Sequence, residues 1–91
     1  MAWTVELNQT AERQFRKLDF SIQKRIRDYI RERLMPADDP RDFGKALVGE
    51  FEGLWRYRIG DYRVICSIED DNMVIVAVAV GHRRNIYDRP I

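Results

Sequence analysis

The 91 residues of this chain are 45% apolar and 34% charged, with a formal net charge of only +1. That balance fits one globular domain spanning 1–91 and excludes a uniformly basic nucleic-acid binder, so any electrostatic footprint must come from clustering. One cysteine and one histidine cannot make an intrachain disulfide or a zinc site alone, no run reaches the roughly 20 apolar residues of a membrane span, and no signal-peptide layout opens the chain; the expectation is a cytoplasmic protein with no membrane, metal or small-molecule cofactor.

Residues 2–7, AWTVEL, hold Trp3, Val5 and Leu7 at alternate positions, the period of a short strand with one apolar face. Its neighbour in the sheet is not legible. Asn8 or Thr10 is placed to cap a helix in which Ala11, Phe15 and Leu18 fall at helical spacing. From Ser21 to Leu34 the pattern repeats, with Ile22, Ile26, Tyr29, Ile30 and Leu34 in one stripe, so the two segments predict a helical hairpin. Lys24, Arg25, Arg27, Arg31 and Arg33 on the second helix interleave with Asp28 and Glu32, the pattern of a solvated face before that of a phosphate contact. Pro36 and Pro40 end the helix, and residues 41–53, with Leu47 and Phe51 as apolar anchors, predict an irregular connection. Lys45 within it reads first as a surface lysine and second as a neighbour of the strands that follow.

The stretch from Leu54 to Tyr87 predicts a three-stranded antiparallel meander. Gly60-Asp61 is a two-residue hairpin turn between alternating segments, so Ile59 lies opposite Tyr62, Arg58 opposite Arg63, Tyr57 opposite Val64 and Arg56 opposite Ile65. Directly opposed residues share a face. Arg56, Arg58 and Arg63 therefore occupy one side, and Trp55, Tyr57, Ile59, Tyr62, Val64 and Cys66 the other, where Cys66 is a small buried hydrophobe. With Glu69 to Asn72 as the second turn, Ile68 is placed opposite Met73, Val64 opposite Ala77 and Arg63 opposite Val78. Ala77 and Ala79 then face the helices, and Val74, Val76 and Val78 join the arginines. Three arginines on one face repel one another, and an anionic partner resolves the conflict: guanidinium forks match phosphate oxygens and stabilise charge developing at phosphorus.

The run LWRYRIGDYRVICSIEDD, the valine-rich strand after it and GHRRNIY together resemble the RelE branch of the RelE/ParE superfamily of toxin–antitoxin toxins. The resemblance extends over nearly the whole chain and implies an α+β fold: a short N-terminal strand, a helical hairpin and a three-stranded antiparallel meander, with the helices packed on one sheet face. It further implies a metal-free, ribosome-dependent endoribonuclease that cuts mRNA in the decoding site, with a cognate antitoxin, the ribosome and mRNA as partners. The chemistry implied is attack of a ribose 2′-hydroxyl on the adjacent phosphate, leaving a 2′,3′-cyclic phosphate and a 5′-hydroxyl. By the same resemblance Arg56, Arg58, Arg63, Arg83 and Tyr87 are the site residues. Arg58, Arg63, Arg83 and Tyr87 are the catalytic candidates, and Arg56, joined by the nearby Lys45, His82 and Arg84, the RNA-binding ones.

Arginine stays protonated and serves as a phosphate clamp rather than a conventional base, which leaves Tyr87 and His82 as proton-transfer candidates. A tyrosine base requires adjacent arginines that favour phenolate; histidine as a residue type titrates near neutrality unaided. Strict alternation from Val78 and Val80 puts His82 on the Arg63 face, whereas a bulge or strand end near Gly81 puts Arg83 there, and the resemblance favours Arg83. Family members that carry lysines at the paired strand positions differ from this chain, which has Arg56 and Arg58, and that difference bears on the proton route. Two further readings share the fold: a ParE-like toxin that inhibits DNA gyrase without cutting RNA, and a non-toxic binding module.

Overall fold

The computed structural model describes residues 2–87, in which five strands form one mixed sheet in the order β1-β5-β4-β3-β2. β1 (Thr4–Leu7) is followed by α1 (Gln9–Arg16) and α2 (Phe20–Tyr29), and the meander consists of β3 (Trp55–Ile59), β4 (Tyr62–Glu69) and β5 (Val74–His82). The expected α+β class is observed, with both helices on the sheet face that carries Tyr57, Ile59, Val64 and Cys66. Among the described residues no helix is long and apolar enough to cross a membrane.

The N-terminal strand finds its place beside β5, running parallel to it with Val5 opposite Ile75 and Leu7 opposite Ala77. Asn8 then caps α1 by accepting from the Ala11 N–H at 2.8 Å, one of the donors that a helix start leaves unpaired. Ala11 and Ala77 are both fully buried in the main core. Their small side chains let α1 lie close against β5.

The second helix departs from the expected single span. Beyond Tyr29 the backbone widens into a π turn, Ile30–Leu34, and Met35 N donates to Ile30 O at 2.9 Å. The apolar residues explain it. Ile22, Ile26, Ile30 and Leu34 recur every four positions, and each such step overshoots an α-helical turn by about 40°. One extra residue in a wide turn returns Leu34, 1% exposed, to the core.

The 41–53 segment is more ordered than expected. Pro40–Phe43 forms a 3₁₀ turn, and β2 (Lys45–Ala46) pairs antiparallel with β3, Lys45 opposite Arg56. Tyr57, fully buried, reaches under this segment and donates its hydroxyl to Pro40 O at 2.8 Å. Arg41 grips the Asp70 carboxylate at 3.0 and 2.6 Å and so ties the 3₁₀ turn to the β4–β5 loop.

The β3–β4 register is the expected one, from Ile59 opposite Tyr62 to Arg56 opposite Ile65. The β4–β5 register is not. Glu69 pairs with Val74 and Ile68 with Ile75, because Met73 sits in the turn at φ 53, a left-handed conformation that no strand residue holds. This slips the pairing by two residues and leaves the faces unchanged. A bulge then adds one more residue: Cys66 pairs with Ala77 but Ile65 with Ala79. That single insertion reverses the alternation of the rest of β5. Val80 joins Val64 in the main core, while Ala79 moves to the arginine side instead of facing the helices. Gly81, not Val78, lies opposite Arg63. Past the end of β1 the Val80 N–H has no strand partner, and Gln14 Oε1 accepts it at 2.8 Å.

Candidate functional site

Cross-strand pairing sets Lys45, Arg56, Ile65 and Ala79 in one row on the face away from the helices, and Arg58, Arg63 and Gly81 in the next. Lys45 thus belongs to the arginine face. The floor between the charged groups is apolar: Ile65, Ala79 and Ile86 are buried together, with Leu47, Leu54 and Val78 packed around them. A Cβ on Gly81 would stand 3.3 Å from Ile86 Cδ1. The absent side chain lets the segment after β5 fold down onto the sheet.

The Gly60-Asp61 turn holds two of the arginines. Arg63 Nη1 donates to Gly60 O and Tyr62 O, each at 2.9 Å, which leaves the Nη2 and Nε groups of its guanidinium without a protein partner among the described residues. Arg83 N donates to Asp61 O at 2.8 Å, and its Nε lies 3.7 Å from the Asp61 carboxylate, an exposed and weak pair. Asp61 is therefore a positioning residue; its sequence signal was that of a turn alone.

Arg63 is half-buried, and its proton affinity is held below that of an ordinary guanidinium. Desolvation is the main cause, then the positive charges of Arg58 and Arg56 and, more weakly, Arg83; Tyr87 acts in the opposite direction. Those interactions place all five groups in one electrostatic neighbourhood. Arg58 is exposed, and the Nε of Arg56 is buried without a hydrogen-bond partner among the described residues. Tyr87 is 38% exposed and rests its ring 5.6 Å from that of Phe51, a contact that the spacing of neither residue foretold.

His82 stands apart. It pairs with Tyr62 on the helix side of the sheet, with the two rings edge to face at 5.4 Å. The bulge decides the alternatives left open by alternation: Arg83 joins the neighbourhood of Arg63, and His82 does not. Arg84 is exposed, and its backbone N–H points to His82 Nδ1. No cluster of three or more His, Cys, Asp or Glu residues suited to a metal ion occurs among the described residues. What remains is a shallow cationic surface with an apolar floor, one phenol and guanidinium forks free to meet oxygen anions.

Residues 5–87 match the sequence model of a family described as the ParE toxin of the type II toxin–antitoxin system parDE. Toxin RelG of Mycobacterium tuberculosis is 33% identical over 89 residues, covering 98% of this chain and all of that protein. The toxin–antitoxin complex RelBE2 of the same organism contains a chain that superposes with a TM-score of 0.83 at 30% identity, over 91% of this chain and 100% of that one. The isolated RelE toxin of E. coli shares the fold, with a TM-score of 0.70 at 18% identity over 89% of this chain and 84% of that one.

Proposed function

Because the chain belongs to the RelE/ParE superfamily of type II toxin–antitoxin toxins, we propose that it acts as a ribosome-dependent endoribonuclease that cleaves mRNA in the decoding site and is neutralised by a cognate antitoxin. One observation carries this reading: Arg56, Arg58, Arg63, Arg83 and Tyr87 converge on one sheet face, although mutual repulsion opposes their gathering. A phosphodiester supplies the missing negative charge.

In the reaction, the ribose 2′-oxygen loses its proton and attacks phosphorus, the bond from phosphorus to the 5′-oxygen breaks, and that oxygen takes up a proton. The products are a 2′,3′-cyclic phosphate and a 5′-hydroxyl. Arg58 and Arg63 stabilise the charge that grows on the phosphoryl oxygens, and this preorganised donation is the larger part of the catalysis. Arg83, Arg56, Lys45 and Arg84 hold the flanking phosphates. Tyr87 is the proton carrier, since its phenol is the one neutral O–H gathered with Arg56, Arg58, Arg63 and Arg83 among the described residues.

A second reading, a gyrase inhibitor without nuclease activity, is favoured by the ParE description of the matching family. Primer extension on translated mRNA after brief induction, run beside a gyrase supercoiling assay, separates the two. New 5′ ends within codons and undisturbed supercoiling are expected. Intact messages with inhibited supercoiling would transfer the chain to the gyrase class.

A further inference from the structure

We infer that His82 is a positioning residue, which caps the turn formed by residues 83–87 and thereby sets where Arg83 and Tyr87 stand over the arginine face. The inference rests on the reading of that face as the cleavage site. β5 ends at His82, whose carbonyl accepts from Asn85 N at 2.9 Å and from Ile86 N at 3.0 Å, while its ring Nδ1 accepts from Arg84 N at 3.2 Å. This is the bonding of a helix N-cap: the main-chain oxygen closes the turn, and the side chain satisfies a backbone N–H that the turn leaves without a partner.

Histidine is an unusual cap, and Tyr62 accounts for its use here. The imidazole stands edge-on to the Tyr62 ring at 82°, and Tyr62 is its direct partner across the strands. The cap is thus fastened to the strand that carries Arg63, one residue from it in sequence. Movement of the ring would be passed to the 83–87 turn at one end and felt at the arginine cluster at the other. An asparagine would cap as well but would have no ring to lodge against Tyr62.

Only the neutral ring, with its proton on Nε2, offers Nδ1 as an acceptor; the imidazolium has donors at both nitrogens. Tyr62 faces the ring from β4, Lys17 just past the end of α1 lines the same cleft, and Arg83 and Arg84 follow on the turn. None of the side chains lining that cleft is a carboxylate. The hydrogen bond from Arg84 N therefore needs the tautomer that keeps its proton on Nε2.

Wild type, His82→Asn and His82→Ala are to be compared by amide exchange at Arg84, by the Phe51–Tyr87 ring contact in NMR spectra, and by single-turnover RNA cleavage. Asparagine supplies an acceptor oxygen near the Nδ1 position and does not titrate. His82→Ala should exchange the Arg84 amide roughly fivefold faster, the scale of one lost hydrogen bond, lose the ring contact, and cleave about 10- to 100-fold more slowly, the scale of a small misplacement of reacting groups. His82→Asn, which keeps the cap but not the ring against Tyr62, should protect the Arg84 amide and cleave faster than His82→Ala. Wild-type behaviour of His82→Ala in either exchange or cleavage would overturn the inference, as would His82→Asn cleaving as slowly as His82→Ala with its Arg84 amide protected. If wild type cleaves no RNA, the proposed function fails separately, and exchange with the ring contact still decides whether His82 holds the turn.

Discussion

Arg58 and Arg63 face each other across two strands, yet they are held differently. Arg58 is exposed, whereas Arg63 is half-buried and pinned through one nitrogen to the carbonyls of its own turn. A lysine cannot bind those carbonyls and also present a fork to phosphate. Replacement of either arginine by Ala should slow single-turnover cleavage by roughly two to three orders of magnitude, the scale for loss of one transition-state donor. Arg63→Lys should recover little of it. Tyr87→Phe keeps the ring against Phe51 and deletes only the hydroxyl, so it should abolish most cleavage and leave ribosome binding intact. Near-normal cleavage by that variant would reduce Tyr87 to a packing group.

At the scale of elements, the legible parts were those whose geometry is local. Gly60-Asp61 joins β3 to β4 through two residues, so the turn alone determines which arginines meet. The Asn8 cap lies within one turn of the Ala11 N–H that donates to it, and Asn8→Ala should cost about 1 kcal/mol in denaturant unfolding. The parallel seat of β1 on β5 was illegible, since it depends on contacts about 70 residues apart in sequence. β2 has two residues, too few to show a period. The β4–β5 bulge has no signature in a run of valines and alanines that is apolar on both faces, and Met73 bears no mark of its left-handed backbone. Yet the bulge carries Arg83 to the arginine side. Deletion of Val78 removes the extra residue yet leaves Ala77 opposite Cys66 and Ala79 opposite Ile65, so Arg83 should keep its side, with cleavage and the fold by circular dichroism both retained. Loss of cleavage in a folded deletion variant would show that the bulge itself, and not the register alone, sets the 83–87 turn.

The molecule as a whole divides its charge, although its sum is near zero. Residues 9–34 hold eight basic and four acidic side chains, so the helical hairpin carries net positive charge on the sheet face opposite the arginines. The core beneath should be sensitive to alkali. Burial pushes the Cys66 thiol up from 9.0 to about 12, and burial also raises the Tyr57 phenol. Both groups hold their protons more tightly when folded, so the unfolded state binds fewer. Stability is complete below about pH 9 and should fall as pH rises toward 12. Denaturant midpoints that stay flat from pH 8 to about pH 11 would contradict this assignment. An antitoxin segment that neutralises the protein should be acidic or amphipathic, and should protect either the 54–80 meander or the 81–87 turn from hydrogen exchange; protection confined to the helical hairpin would place it elsewhere. The most direct test of the central claim is single-turnover cleavage of mRNA on programmed ribosomes by the wild type and by the folded Arg58→Ala/Arg63→Ala variant, with the new ends identified chemically. The wild type should leave 2′,3′-cyclic phosphate and 5′-hydroxyl ends and the variant almost none, whereas equal cleavage by the two proteins would contradict the proposed function.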